Sequence, residues 1–423
     1  MHVAGRDPND ADPWNPDAGV RRRGYASAMG RAAMSGHPRL NWEEAGEARS
    51  ARWRSESGLP PPARIVIADD RTTAETAHRL ACEGTAMLWR GDYQNALQLL
   101  QAMARRGEKA PRRTRRRTCA APPGGPADAF HRHRLAQSQR ARTLAMLLLP
   151  FDADHRIPLR RAPDARQACL ESYGPGDEPY VAPLRELLGL IGAHEWRKNG
   201  IEIAELAARI HPHYGVFAPI RSEYVGLVAA APLPEPRPEL AFDIGTGTGV
   251  LAALLARRGI ARVIATDQDP RALACARENV ARLELAGCVE IMPADLFPPG
   301  RARLVVCNPP WLPARPSSPI EHAIYDPENR MLRGFLGGLA AHLEPSGEGW
   351  LVLSDLAERL GLRTRNELNA LIANAGLAVI GRMDVRPRHP RAFDAADPLH
   401  AARSGEVTSL WRLAARQARA SAT

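Results

Sequence analysis

The residues with the clearest chemical potential lie in the stretch RLVVCNPPWLP, residues 303–313. Its apolar run ends at Asn308-Pro309-Pro310-Trp311, and two adjacent prolines cannot continue the hydrogen bonding of a strand. The amide oxygen of Asn308 and the carbonyl of Pro309 are two acceptors in a rigid frame. Together they can hold both hydrogens of a planar amino group, while Trp311 offers a face for stacking. The plainer alternative is a strand followed by a tight loop.

A glycine loop lies about sixty residues before this stretch, in LAFDIGTGTG. Glycine permits tight turns and a close approach of backbone N–H groups to a ligand. The glycines fall at every second position, whereas the dinucleotide fingerprint is G-x-G-x-x-G. The candidate cofactor-binding residues here are Asp243, Gly245, Thr246, Gly247 and Gly249.

Two acidic residues follow the next two predicted strands. Asp267 ends the second strand, where doubly wound nucleotide binders place an acid on ribose hydroxyls, and Asp269 is the better candidate for the cap of the following helix. Asp295-Leu296 ends the third strand and offers a carboxylate for an adenine amino group beside an apolar surface. We therefore expect a nucleoside-containing cofactor at the carboxyl ends of these strands.

The elements that must position these residues alternate between strand and helix from residue 239 onward. This alternation predicts an α/β fold with a mostly parallel, doubly wound sheet covered on both faces. We count seven strands, and the last two, with no helix predicted between them, are expected to pair as an antiparallel hairpin at one edge.

The N-terminal half shows a different pattern. Residues 1–60 are rich in arginine and proline and are expected to be disordered. Residues 61–210 are expected to form a mainly helical region, with a helical hairpin over residues 73–106 and a linker near 111–128 that contains an arginine run. Residues 211–416 are expected to form the α/β domain.

Composition narrows the class of protein only slightly. The net charge is +10, but of the 57 lysines and arginines only Lys109 and Lys198 are lysines, which indicates a bias of the whole chain. The six cysteines form no C-x-x-C pair, and no apolar stretch could span a bilayer. We expect a cytoplasmic protein without a metal site and without a membrane partner; its oligomeric state stays open.

The order D-x-G-x-G-x-G, strand-end Asp, A-D-L-F and N-P-P-W resembles class I S-adenosylmethionine-dependent methyltransferases. Within them it resembles the small-methyltransferase-domain group, which includes HemK-type glutamine methyltransferases and ribosomal RNA N-methyltransferases. The resemblance implies a Rossmann-like fold and S-adenosylmethionine as cofactor. It also implies cofactor contacts for Asp243, Gly245, Gly247, Asp267 and Asp295, and amino-group capture by Asn308, Pro309 and Trp311.

The segment before the core, residues 211–228, is similar to the part of these families that covers the cofactor. Phe217 and Glu223 are the candidates there, and an amphipathic lead-in helix is the alternative. HemK-type enzymes usually show N-P-P-Y, whereas this chain has Trp311.

The resemblance implies methyl transfer to an amino or amide nitrogen. We place an RNA nucleobase first as the acceptor, because the chain has a positive net charge and the Trp311 ring offers a broad surface for stacking. The alternatives are a protein glutamine (N5), a small molecule, and a cofactor-binding scaffold without activity. A nicotinamide oxidoreductase is a further rival for the glycine loop alone.

Overall fold

The computed structural model describes residues 37–108, 124–220, 222–316, 319–387 and 393–416. The described residues from Arg39 onward form one compact unit. Among the residues described, no helix combines the length and apolarity that crossing a membrane would require.

The N-terminal part of this unit is built on a sheet. In chain order its elements are β1 (Arg39–Glu44), β2 (Glu47–Trp53), β3 (Arg64–Ala68), α1 (Ala74–Cys82), β4 (Thr85–Trp89), α2 (Tyr93–Glu108), α3 (Pro126–Leu144), β5 (Leu147–Phe151), α4 (Arg166–Tyr173), β6 (Tyr180–Pro183) and α5 (Leu184–Asn199). The six strands pair in the order β1-β2-β6-β5-β4-β3. A short antiparallel pair follows, β7 (Ile201–Ile203) with β8 (Ala208–Ile210).

This sheet corrects the expectation of a mainly helical region. The predicted helical hairpin is interrupted by β4, whose five residues are all buried. A strand that is buried on both faces loses the alternation of apolar and polar residues by which a strand is recognised. The expected disorder over residues 1–60 is also wrong for β1 and β2, while residues 1–36 lie outside the described residues. The linker near 111–128 and its arginine run fall mostly on 109–123, which also lie outside them, and α3 already begins at Pro126.

The C-terminal part begins with α6 (Glu223–Ala230) and carries the second sheet. Its elements are β9 (Leu240–Ile244), α7 (Val250–Arg257), β10 (Arg262–Asp267), α8 (Pro270–Arg282), β11 (Val289–Pro293), β12 (Ala302–Cys307), α9 (Arg330–His342), β13 (Leu343–Ser354), α10 (Leu356–Arg359), α11 (Arg365–Asn374), β14 (Leu377–Val385), α12 (His400–Ser404) and β15 (Thr408–Ala415).

The seven strands of this sheet have the order β11-β10-β9-β12-β13-β15-β14. All neighbouring pairs are parallel except those that include β15, which runs antiparallel to both β13 and β14. The predicted doubly wound sheet is confirmed. The antiparallel pair also forms, although the short helix α12 lies between its two strands in the chain.

The strand order of the sheet reverses between β9 and β12. Strands β9, β10 and β11 follow one another outward on one side, and β12 then pairs with β9 on the other side. In open α/β sheets, ligands bind outside the carboxyl ends of the strands at such a switch point. The glycine loop follows β9 and the Asn308 stretch follows β12, so the fold brings both motifs to this place.

The N-terminal and C-terminal parts pack directly on each other. Phe130 of α3 belongs to a buried cluster with Leu312, Leu360 and Leu399. Ion pairs join Arg134 to Glu321 at 3.2 Å and Arg271 to Glu56 at 2.6 Å. The N-terminal part therefore contributes side chains next to the segment that follows Trp311.

Candidate active site

The glycine loop needs backbone conformations that residues with a Cβ rarely adopt. Gly245, Gly247 and Gly249 have φ values of 72°, 56° and 83°. A Cβ on Gly245 would lie 2.4 Å from the Cε of Met331, so α9 packs against this side of the loop. A Cβ on Gly247 would meet no atom within 4 Å. Gly247 thus faces open space, where a ligand can approach the backbone.

Asp243 supports the loop from inside the protein. Its side chain is 1% exposed, and its Oδ2 accepts hydrogen bonds from the Thr246 hydroxyl at 2.7 Å and from the Ala252 N–H at 3.0 Å. Burial raises the pKa of Asp243 to about 6, although the hydrogen bond from Thr246 acts to lower this pKa. The predicted cofactor residues Asp243 and Thr246 therefore bind each other and tie the loop to α7.

Asp267 lies at the end of β10 and reaches the same loop. Its Oδ2 accepts a hydrogen bond from the Gly247 N–H at 3.0 Å, and its Oδ1 accepts one from the Asp269 N–H at 3.0 Å. Burial raises the pKa of this carboxyl. Asp269 caps α8 by accepting from the Arg271 N–H, as the sequence predicted. Asp267 is thus free of the capping role and borders the open side of the loop.

The third strand end is more exposed. Asp295 pairs with Arg330 at 3.1 Å, and both side chains are mostly solvent-exposed. Leu296 has a φ of 82°, and its carbonyl accepts a hydrogen bond from the Thr266 hydroxyl at 2.5 Å. Phe217 is half-buried in the loop before α6. An adenine amino group at Asp295 would compete with Arg330 for this carboxylate.

The Asn308 stretch follows β12 at the switch point. Pro309 is buried, and Asn308, Pro310 and Trp311 are half-buried. The indole N–H of Trp311 donates to Oδ1 of Asn308 at 2.9 Å. Indole nitrogen is a donor only, so this bond fixes which end of the amide is oxygen. Trp311 therefore orients Asn308, a role that the sequence interpretation did not include. One lone pair of Oδ1 remains for a substrate amino group.

Two further residues hold the site together, and of these Asn279 was not recognised from the sequence. Asp326 is 4% exposed and accepts from the N–H groups of Met331 and Leu332, which anchors the start of α9. Asn279 is 1% exposed, bonds both backbone groups of His211, and donates to the carbonyl of Thr248 at 3.0 Å. A buried amide on an otherwise apolar helix face was the available signal for Asn279.

Comparison with known proteins agrees with this geometry. Residues 207–360 match the family model described as methyltransferase small domain. Over these residues the chain is similar to methyltransferase small domains. Its matched span contains the glycine loop, Asp267 and the Asn308 stretch, and it ends before β14 and β15 complete the sheet.

Curated relatives carry several names. A release factor glutamine methyltransferase of Cereibacter sphaeroides is 36% identical over 185 residues, which cover 40% of this chain and 63% of the relative. A tRNA1(Val) (adenine(37)-N6)-methyltransferase of Bacteroides thetaiotaomicron is 32% identical over 28% of this chain and 54% of the relative. A ribosomal protein L11 methyltransferase of Pelotomaculum thermopropionicum is 46% identical over 16% of this chain and 22% of the relative. The chain thus spans less than two thirds of each of these relatives.

Proposed function

We propose that the protein is an S-adenosylmethionine-dependent methyltransferase that methylates an amino or amide nitrogen. The observation that carries the proposal is the Asn308 amide, oriented by Trp311 at the switch point beside the glycine loop. A scaffold without activity has no need of an acceptor that is oriented in advance. Preorganisation of this kind lowers the ordering cost of a reactive geometry.

S-adenosylmethionine would lie against the glycine loop at Gly247. The open space at Gly247 admits the cofactor against the backbone, and Asp267 at its border is the proposed acceptor for ribose hydroxyls. Gly245, Gly249, Asp295, Leu296 and Phe217 are the proposed remaining contacts. Asp243 and Thr246 would act by supporting the loop, because both side chains are buried and hydrogen-bonded to each other. When bound, the cofactor supplies an electrophilic methyl group.

The chain's own residues would prepare the acceptor nitrogen. Asn308 Oδ1 and the Pro309 carbonyl would accept the two hydrogens of the amino group and so turn the nitrogen lone pair toward the methyl donor. Pro310 would stiffen this frame, since its ring fixes the backbone. The nitrogen can lose a proton after transfer, so the arrangement needs no general base at the amino group.

For the acceptor we place an RNA nucleobase first. The support is the cationic surface beside Trp311 described below and the tRNA adenine methyltransferase among the relatives. A protein glutamine is the second candidate, because the release factor glutamine methyltransferase aligns over more of the chain. An amide and an aromatic amino group present the same planar pair of hydrogens. The two acceptors, Asn308 Oδ1 and the Pro309 carbonyl, which we call the clamp, therefore suit both.

Calorimetric titration with S-adenosylmethionine tests the cofactor assignment, with a reduced nicotinamide dinucleotide as competitor. We expect saturable binding of S-adenosylmethionine that the nicotinamide dinucleotide does not displace. Displacement by the nicotinamide dinucleotide would contradict the assignment. The acceptor is then tested with labelled S-adenosylmethionine and extract from cells that lack this protein, by measuring label separately in RNA, DNA, protein and small molecules.

A further inference from the structure

A cavity of about 250 Å³ lies between α3 and the segment that follows Trp311. Helix α3 forms one wall, and Leu312 and Tyr325 belong to the opposite wall. Leu312 directly follows Trp311, and its carbonyl accepts from the Asp326 N–H at 2.8 Å, so this wall continues the clamp into the start of α9. The N-terminal part therefore completes a cavity beside the proposed reaction site.

The lining of this cavity carries more positive than negative side chains, with three arginines against one carboxylate, Glu321. His133 also lines it, and burial lowers the pKa of this imidazole. Arg134 uses Glu321 as its ion-pair partner at 3.2 Å and lies over the Tyr325 ring at 3.8 Å. Arg403 is paired with Asp397. Each of these two guanidinium groups is thus held in place by a neighbour.

Arg185 differs from the other two arginines. Across the described part of the chain, its side chain has no hydrogen bond and no ion pair. It lies at the start of α5, where the charge of another cation, Arg140, acts on it. Partial desolvation, and after it the charge of Arg140, lowers the pKa of Arg185, although the residue is exposed. An exposed guanidinium without a partner keeps its hydrogen-bond donors available for an anion.

Phosphate is the anion that suits this arrangement. A guanidinium binds phosphate through two parallel hydrogen bonds, and the residual positive charge of the lining favours a group that stays ionised at neutral pH. The volume equals that of several waters at about 30 Å³ each, so a phosphate fits with part of its sugar. An acidic peptide would satisfy charge but is the less favoured occupant of a cavity this small.

We propose that this cavity binds a backbone phosphate of an RNA methyl acceptor and so positions the neighbouring base at Asn308. The inference rests on the proposed function, because it takes the acceptor of that site to be RNA. Arg185 is the residue expected to contact the phosphate. Arg134, held between Glu321 and Tyr325, forms a fixed part of the same wall.

The test measures binding of a short fluorescent single-stranded RNA to the full chain without cofactor, over a series of salt concentrations. Arg185→Gln is expected to weaken binding about tenfold at low salt and to reduce the slope of log K against log salt by about one. Inorganic phosphate should compete with the RNA for the wild type. The variant should unfold at the wild-type temperature, because the Arg185 side chain makes no bond within the described residues.

The matched control is Arg142→Gln. Arg142 is an exposed arginine on the same helix as Arg134 but does not line the cavity. Its loss should leave the affinity and the salt slope unchanged. Equal effects of the two substitutions, or no effect of Arg185→Gln, would overturn the proposal. Arg185-dependent binding of an acidic peptide in place of RNA would overturn it as well.

Methyl transfer is followed in the same preparations so that the two claims fail separately. Asn308-dependent transfer without Arg185-dependent RNA binding would overturn the cavity assignment alone. Arg185-dependent RNA binding without any Asn308-dependent transfer would overturn the proposed reaction and leave the cavity as an RNA-binding surface.

Discussion

Trp311 and Asn308 are joined by a hydrogen bond of 2.9 Å from the indole N–H to the amide oxygen. The bond lies within the loop that follows β12, so the acceptor of the clamp is oriented by a residue only three positions away. Orientation is therefore local and does not depend on substrate. This relationship gives Trp311 a role in addition to the proposed stacking on a base, and the two roles can be separated.

Trp311→Phe keeps an aromatic face and removes the donor. Loss of one hydrogen bond to the amide corresponds to about 1 kcal/mol, so we expect methyl transfer to fall roughly fivefold to tenfold through kcat. The affinity for S-adenosylmethionine should not change. Steady-state kinetics together with calorimetric titration of the cofactor measure both quantities.

Trp196→Phe is the control for this substitution. Trp196 is 40% exposed on α5 and is remote in the chain from the clamp. The control should retain wild-type kcat. An unchanged kcat in Trp311→Phe would show that the indole N–H does not position Asn308.

The two loop glycines should respond differently to alanine. Gly245→Ala puts a methyl group 2.4 Å from Met331 Cε at a φ of 72°, so strain of about 1–2 kcal/mol and an overpacking cost of about 1–3 kcal/mol should lower the unfolding free energy. Gly247→Ala meets no neighbour within 4 Å and should cost only the strain, yet its methyl group fills the space proposed for the cofactor. Gly245→Ala should therefore be the less stable variant in chemical denaturation, whereas Gly247→Ala should be the weaker binder in cofactor titration.

Met331→Ala provides the check on this explanation. In the Gly245→Ala background it should recover the steric part of the lost stability, after allowance for its own cavity cost, and it should give no recovery with Gly247→Ala. If Gly247→Ala binds S-adenosylmethionine as the wild type does, the open side of the loop is not the cofactor site.

Asp267 and Asp269 form a matched pair for asparagine substitution. Asp267 accepts two backbone N–H groups, one on each oxygen, so an asparagine would turn its own N–H₂ toward one of these donors. We expect Asp267→Asn to weaken cofactor binding at least tenfold. Asn is as good a helix cap as Asp, so Asp269→Asn should bind the cofactor normally. Similar affinities for the two variants would contradict the role given to Asp267.

Asp243 should make the unfolding free energy depend on pH. Its folded pKa is about 6, above the ordinary 3.8, so the folded state holds a proton that the unfolded state has already lost between these values. The contribution of Asp243 to the unfolding free energy is therefore greatest near pH 4. It falls by about 2–3 kcal/mol in total as the pH rises to about 6.

Asp243→Asn isolates that contribution. Both hydrogen bonds of Asp243 end on Oδ2, so an amide oxygen can accept both while the buried charge disappears. Relative to the variant, the wild type should lose stability from pH 4 to pH 6 in urea unfolding without cofactor. Parallel curves for the two proteins would show that Asp243 titrates normally.

The parts of the fold that the sequence predicted are those with local signals. The strands β9 and β12 are short apolar runs followed directly by Gly245 and Asn308, and β10 ends at Asp267. The helix after β10 begins at a recognisable cap, Asp269. The N-terminal sheet lacks such signals. Strand β4 is buried throughout, and Pro150 and Pro183 stand within β5 and β6, where proline normally argues against a strand.

The candidate site shows the same division. Residue types and chain order were enough to bring Gly247, Asp267 and Asn308 to one edge of the sheet. Contacts between distant segments were not predictable from the pattern of apolar and polar residues. Examples are the packing of Met331 on Gly245 and the hydrogen bonds by which Asn279 joins Thr248 to His211. The supporting role of Asp243 was not predicted for the same reason. The sequence motif is compatible with direct contact between Asp243 and the cofactor, and also with a carboxylate that is buried and supports the glycine loop.

The central claim is that Asn308 presents an amino group for methylation. The most direct measurement adds wild-type protein or Asn308→Ala to extract from cells that lack the protein, with labelled S-adenosylmethionine, and counts label in each class of molecule. Asn308→Ala should bind the cofactor as the wild type does and transfer at least a hundredfold less label, with the wild-type label in RNA. Equal labelling by the two proteins, in whichever fraction, would contradict the account.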